Sequence, residues 1–168
     1  MTPAGADPTL RVSEIFHSLQ GESTRVGLPT VFIRLTGCPL RCTWCDTTYA
    51  FAGGDTLTLA TILDRVATFD CRTVCVTGGE PLAQSNCLML LSALCDAGYS
   101  VSLETSGALD IAAVDPRVAR IIDIKAPDSG ESAKNRWENL ATLRPADELK
   151  FVLASRTDYD WAKSVLAG

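Results

Sequence analysis

Cys38, Cys42 and Cys45 follow one another with the spacing C-x3-C-x2-C in the run Gly37-Cys-Pro-Leu-Arg-Cys-Thr-Trp-Cys45. Thiolates are the usual ligands of iron in iron–sulfur clusters, and clusters that only pass electrons usually have every iron closed by cysteine. Three thiolates hold three irons of a cubic cluster and leave the fourth open, as a catalytic metal keeps an open position. The amino and carboxylate groups of S-adenosylmethionine suit that open iron, and electron transfer from the cluster would cleave the cofactor to an adenosyl radical. A structural zinc site asks for four ligands in paired groups. The only histidine here is His17, and no second C-x2-C exists. Disulfides suit neither seven cysteines nor a chain with no secretory segment at its start. Cys71, Cys75, Cys87 and Cys95 stand among apolar neighbours and read as small buried hydrophobes.

The chain of 168 residues, 46% apolar and 21% charged, is expected to form one domain over 1–168 with one core. No apolar run reaches the roughly 18 residues of a membrane span, and cysteine usage reads as cytoplasmic. The net charge of −5 argues against broad nucleic-acid binding. The segment Met1–Pro8 bears Pro and Gly, and residues 1–10 are expected to be disordered. Strand patterns run over Arg11–Phe16, Thr30–Thr36, Thr73–Val76, Tyr99–Leu103, Arg120–Ile124 and Leu149–Leu153. Helical spacing joins Leu59, Ile62, Leu63, Val66 and Phe69. A second helix, capped by Ser85 and closed by Gly98, turns Leu88, Leu91, Leu94 and Cys95 inward, and a third, capped by Thr157, turns in Trp161 and Val165. The alternation predicts an α/β fold, a partial, open β/α barrel of about six mostly parallel strands. Its chemistry should collect at the C-terminal ends of the strands. Cys38, Thr77-Gly78-Gly79-Glu80-Pro81, Glu104-Thr105-Ser106-Gly107, Lys125 and Lys150 all fall at or near such ends.

The cysteine triplet, the Gly-Gly-Glu after a strand and the partial barrel resemble the radical S-adenosylmethionine enzymes. Three stretches, Glu14-Ile-Phe-His-Ser-Leu-Gln-Gly-Glu22, Phe32-Ile-Arg-Leu-Thr-Gly-Cys38 and Trp44-Cys-Asp-Thr-Thr-Tyr-Ala50, resemble more narrowly the 7-carboxy-7-deazaguanine synthase family of the queuosine route. The resemblance implies that Cys38, Cys42 and Cys45 ligate a [4Fe–4S] cluster. It implies that Gly78, Gly79 and Glu80 line the S-adenosylmethionine site, that Trp44, Cys45 and Asp46 lie against the cofactor, and that Lys125 holds its anionic end. Thr47 would be a ligand of Mg2+, an ion that takes oxygen ligands. The substrate would be 6-carboxy-5,6,7,8-tetrahydropterin, met by Leu19, Gln20, Gly21 and Thr77, with Arg34 offering a fork to its carboxylate.

The implied reaction takes a hydrogen from C6 of the pterin, contracts the ring and releases ammonia. It needs an external reductant such as flavodoxin or ferredoxin, and a homodimer is expected. Two departures from the family stand out. Asp123-Ile124-Lys125 replaces a common Ser-Pro-Lys, and the C-terminal part is short of a further strand and a Gln-Leu-His-Lys-like tail. Two rival readings have discriminating features. An activating enzyme that installs a glycyl radical on a partner protein needs neither Leu-Gln-Gly-Glu nor the Thr47 ligand. A non-enzymatic iron–sulfur carrier needs no Gly-Gly-Glu.

Overall fold

A computed structural model describes residues 7–167. Seven strands, β1 (Thr9–Leu19), β2 (Pro29–Leu35), β3 (Asp55–Thr58), β4 (Thr73–Gly78), β5 (Ser100–Thr105), β6 (Ala119–Asp123) and β7 (Glu148–Lys150), form one open sheet in the order β3-β1-β2-β4-β5-β6-β7. From β2 to β7 every pairing is parallel, while β1 runs antiparallel to both β2 and β3. Along β2 the side chains divide by parity. Val31, Ile33 and Leu35 join the core with Val74, Val76, Val101 and Leu103, whereas Phe32 and Arg34 line a cavity on the other face.

The core face is covered by α1 (Leu59–Ala67), which packs on β1 and β3, and α2 (Cys87–Asp96), which packs on β5. Thr58 starts α1 by accepting a hydrogen bond from the Thr61 N–H at 3.1 Å. α3 (Arg156–Ala167) packs beside the 3-10 turn Pro127–Ser129. A buried ion pair fastens the β6–β7 end, where Arg120 donates to Asp147 and to the carbonyls of Ile111 and Thr142. Among the described residues no helix is long and apolar enough to cross a membrane.

Several expectations change in detail. Five of the seven strands are the expected ones; β7 shares only Leu149 and Lys150 with the expected Leu149–Leu153 and ends before Phe151, and β3 is additional, because the four residues after Gly53-Gly54 carry too short a pattern. Residues 1–6 lie outside the described residues; Thr9 and Leu10 pair with Thr58 and Leu57, so the disorder expected for 1–10 does not hold at residues 9 and 10. The helix α2 begins after Asn86, whose side chain reaches the Thr9 carbonyl, and Ser85 does not cap it. Its buried face is Cys87, Leu90, Leu91 and Leu94, with Leu88 and Cys95 only flanking. At α3 it is the Ser155 hydroxyl, not Thr157, that accepts from the Asp158 N–H. The crossovers after β5 and β6 hold no α-helix; the second consists of 3-10 turns.

Candidate active site

The loop after β2 carries the three cysteines and is built from inside. Leu40 is buried, and Gly37 is held on both sides, donating to the Ala50 carbonyl at 2.7 Å and accepting from the Glu80 N–H at 2.8 Å. Arg41 ties the loop to itself by donating to the Cys38 and Leu40 carbonyls, and its guanidinium lies 4.2 Å from the Phe51 ring centroid. The thiols of Cys38, Cys42 and Cys45 all line one cavity of about 560 Å³. Burial pushes the Cys38 and Cys42 thiols up from their ordinary values, so both are protonated until ligation displaces the protons. Among the described residues no three His, Cys, Asp or Glu side chains converge on a single ion. A tetrahedral zinc draws each sulfur to about 2.3 Å from one centre, whereas a cluster gives each thiolate its own iron. Three thiols on one loop, all in the wall of one cavity, can each take a separate iron, so the donor set fits a cluster of the three-cysteine kind. Of the other cysteines, Cys75 and Cys87 are fully buried, with Cys87 pushed up to about 12, and Cys71 and Cys95 pack half-buried against the core.

Gly78 and Gly79 end β4 directly against this loop. A Cβ on Gly79 would stand 2.3 Å from the Gly37 carbonyl oxygen and 2.7 Å from the Cys38 Cβ, and one on Gly78 would stand 2.2 Å from the Leu35 carbonyl oxygen. The two glycines let the strand end lie flush with the cysteine loop, leaving both in the cavity wall. Glu80 corrects an expectation. It is 0% exposed and does not line the cavity. Its carboxylate accepts from the backbone N–H groups of Leu82 (3.0 Å) and Ser106 (2.7 Å) and from the hydroxyls of Thr105 and Ser106. It joins the ends of β4 and β5, and a carboxylate saturated by that many donors has nothing left to offer a ligand.

Trp44, Asp46 and Thr47 line the cavity beside Cys45, and the Thr47 hydroxyl lies 3.8 Å from the Cys45 sulfur. Leu19, Gln20 and Gly21 line the same cavity, Leu19 at 63% exposure and Gln20 buried. The Gln20 amide donates to Glu104 Oε1 at 3.2 Å, and the Thr77 hydroxyl donates to Glu104 Oε2 at 3.0 Å. Glu104 thus joins the segment after β1 to β4 and β5 around the cavity; its place at a strand end is visible in the sequence, but its role as the hub depends on the sheet order. Arg34 lines the cavity too, but its guanidinium is not an unengaged fork. Nε donates to Glu14 Oε1 at 2.7 Å, and the Tyr49 hydroxyl donates to the same oxygen at 2.8 Å. Burial alone would raise the Glu14 carboxyl, but Arg34 and Tyr49 outweigh it and hold it below its ordinary value.

Lys125 Nζ lies 3.1 Å from Asp123 Oδ2, and Lys150 reaches the same oxygen at 3.8 Å while contacting Glu22. Burial would lower the Lys150 ammonium, but Glu22 and Asp123 outweigh it and keep it above its ordinary value. Asp123 Oδ1 is buried with no partner among the described residues. An acceptor left over in the wall of a cavity suits a ligand that brings donors, as the ammonium and ribose hydroxyls of S-adenosylmethionine do. Glu22, Asp123 and Lys150 line the cavity, and Glu14 stands behind Arg34; of these, only Lys150 is marked by the sequence, by its place at a strand end.

The Radical SAM superfamily model matches residues 32–127. The 7-carboxy-7-deazaguanine synthase of Chlorobaculum tepidum is 53% identical over 162 residues, covering 95% of this chain and 74% of its own length. That of Koribacter versatilis is 44% identical over 156 residues, covering 92% of this chain and 69% of its own. The crystal structure of QueE from Escherichia coli aligns with a TM-score of 0.82 and 25% identity over 95% of this chain and 78% of that one. A superfamily model over more than half of the chain and relatives at 53% and 44% identity over most of their own length show that the chain belongs to the radical SAM superfamily and, within it, to the 7-carboxy-7-deazaguanine synthase family.

Proposed function

We propose that this chain converts 6-carboxy-5,6,7,8-tetrahydropterin into 7-carboxy-7-deazaguanine with loss of ammonia, as a radical S-adenosylmethionine lyase. The observation that carries the reading is one cavity shared by the three thiols and by the Gln20–Glu104–Thr77 chain. Bound there, a [4Fe–4S] cluster and S-adenosylmethionine would supply hydrogen-atom abstraction from carbon, which no closed-shell side chain performs. Cys38, Cys42 and Cys45 hold the cluster. The backbone of Gly78 and Gly79, in the cavity wall, flanks the methionine end of the cofactor, with Trp44 and Asp46 beside it and Lys125 on its carboxylate. Glu80 keeps that wall rigid rather than touching the cofactor.

On the substrate side Leu19, Gln20, Gly21 and Thr77 meet the pterin ring, and Arg34 meets the carboxylate. Thr47 offers a hard oxygen to Mg2+, whose remaining positions suit water and substrate oxygens. The protein's share is to orient the pterin C6 and to exclude water. The chain acts as a single domain, in the cytoplasm, as a homodimer fed by a flavodoxin- or ferredoxin-type reductant, without direct contact to nucleic acid.

Anaerobic reconstitution, followed by incubation with S-adenosylmethionine, dithionite and the pterin, tests this reading. Formation of 7-carboxy-7-deazaguanine is expected. Cleavage of S-adenosylmethionine with the pterin left unchanged would refute the substrate assignment.

A further inference from the structure

We propose that Glu14 and Tyr49 are positioning residues that hold the Arg34 guanidinium in the attitude in which it receives the carboxylate of the pterin. This rests on the reading of Arg34 as the carboxylate partner and adds what makes Arg34 competent for it.

The first observation is a break in strand register. The pairing of β1 with β2 passes from Val12↔Leu35 to Glu14↔Arg34, so Ser13 is an extra residue in β1. Regular antiparallel pairing from Val12 would set Ser13 opposite Arg34 and Glu14 opposite Ile33, on the core face. The bulge shifts the phase by one. Leu10 and Val12 point into the core before it, and Ile15 packs on the core after it, while Glu14, Phe16 and Ser18 come onto the side of Arg34. The inserted residue therefore delivers a carboxylate directly across from the guanidinium.

The second observation is how Arg34 is gripped. Its side chain is 16% exposed. Glu14 takes Nε, and among the described residues nothing accepts from Nη1 or Nη2. Its Cζ lies 5.9 Å from the ring centroid of Phe16 and 5.9 Å from that of Tyr49. Phe16 is itself stacked on Phe32 at 5.1 Å. The group is thus fixed at one nitrogen and between two rings, with its terminal pair of donors uncommitted. A carboxylate needs that pair in a plane of defined direction, because bidentate recognition is geometric as well as electrostatic. Tyr49 stands two residues after Thr47, so the same contact ties the loop behind Cys45 to β1 and β2.

The opposite role is physically possible and has the opposite sign: a carboxylate on Arg34 could compete with the ligand rather than aim its partner. Equilibrium dialysis of the reconstituted holoenzyme against pterin-6-carboxylate, which is already oxidised, and against pterin without the carboxylate, separates the two. The parent enzyme should prefer the carboxylated ligand; no preference in the parent would overturn the reading of Arg34 and, with it, the positioning role, whereas a preference that the Glu14 variants leave intact would overturn the positioning role alone. Glu14→Ala and Glu14→Gln should weaken pterin-6-carboxylate by about tenfold, the scale of a misdirected binding group, and leave the plain pterin and S-adenosylmethionine unchanged. Tyr49→Phe, at an exposed ring, should weaken it in the same selective way by a smaller factor, and carries the test if the Glu14 variants fold poorly. Tighter binding of the carboxylated pterin in Glu14→Ala would overturn the proposal in favour of competition. Equal loss for both pterins would overturn it in favour of a purely structural pair.

Discussion

Glu80 occupies the third place of the Gly-Gly-Glu run that marks the cofactor side of the superfamily, yet here it is a brace, and Glu80→Gln separates the two roles. The substitution keeps size and shape but replaces one acceptor oxygen by an NH2 donor. The two oxygens each serve a backbone N–H that cannot rotate away, Leu82 on Oε1 and Ser106 on Oε2. The Thr105 and Ser106 hydroxyls can reorient, but whichever way the new amide flips, one backbone donor faces another donor. A buried donor left without a partner costs about 1–3 kcal/mol, and the surviving bonds lose their charge assistance, so a total of about 3 kcal/mol is expected. In a domain of this size that lowers Tm by about 6–12 °C. Differential scanning fluorimetry of the cluster-free protein reads the shift without involving the cofactor, and binding of S-adenosylmethionine to the reconstituted variant reads the alternative. The brace predicts a fall in Tm with cofactor affinity nearly unchanged in the molecules that remain folded. An unchanged Tm with a clear loss of cofactor affinity would refute the reasoning.

Other outcomes follow from the same geometry. Cys42→Ala should abolish both the visible absorbance of the cluster and the cleavage of S-adenosylmethionine, whereas Cys87→Ala should keep both and lose at most about 2 kcal/mol for the sulfur removed from the core. Thr47→Ala should bind its full complement of iron but form product with little response to added Mg2+; a titration indistinguishable from the parent would remove Thr47 as a ligand. Burial works to raise the Asp147 carboxyl, but Arg120 and Arg144 outweigh it and hold it at about 2 in the folded chain against 3.8 ordinarily. Its folded value is depressed, so its stabilising contribution is complete above the ordinary value and is lost as pH falls from 3.8 to about 2. The urea midpoint of the parent should fall through that window, and Asp147→Asn should start lower at neutral pH, because Arg120 is left buried without its partner, and fall less steeply.

Chemistry carried by spacing was legible in the chain. Three thiols within one loop need no tertiary partner to be recognised, and a glycine pair after a short apolar run already marks a strand end with close backbone approach. Strands β1, β2, β4, β5 and β6 and the first helix are legible too, because burial of one face imposes a period on the residues themselves. What escaped was whatever depends on which neighbour lies opposite. The face of α2 is rotated toward Cys87 and Leu90 because the sheet beneath it, not the helix's own pattern, decides which side is covered; in a helix apolar nearly all round, the sequence is ambiguous. Glu80 reads in sequence as a ligand-facing acid, and only the return of β5 beside β4 brings it the Thr105 and Ser106 donors that consume its oxygens. Arg34 reads as an unengaged fork, and only one extra residue at Ser13, which no local pattern announces, sets Glu14 across from it. Periodicity and spacing are properties of a single segment and survive in the sequence. Register, saturation of hydrogen bonds and the sign of a neighbouring charge are properties of pairs brought together by folding, and for this protein they decide which of the recognised residues are free to act.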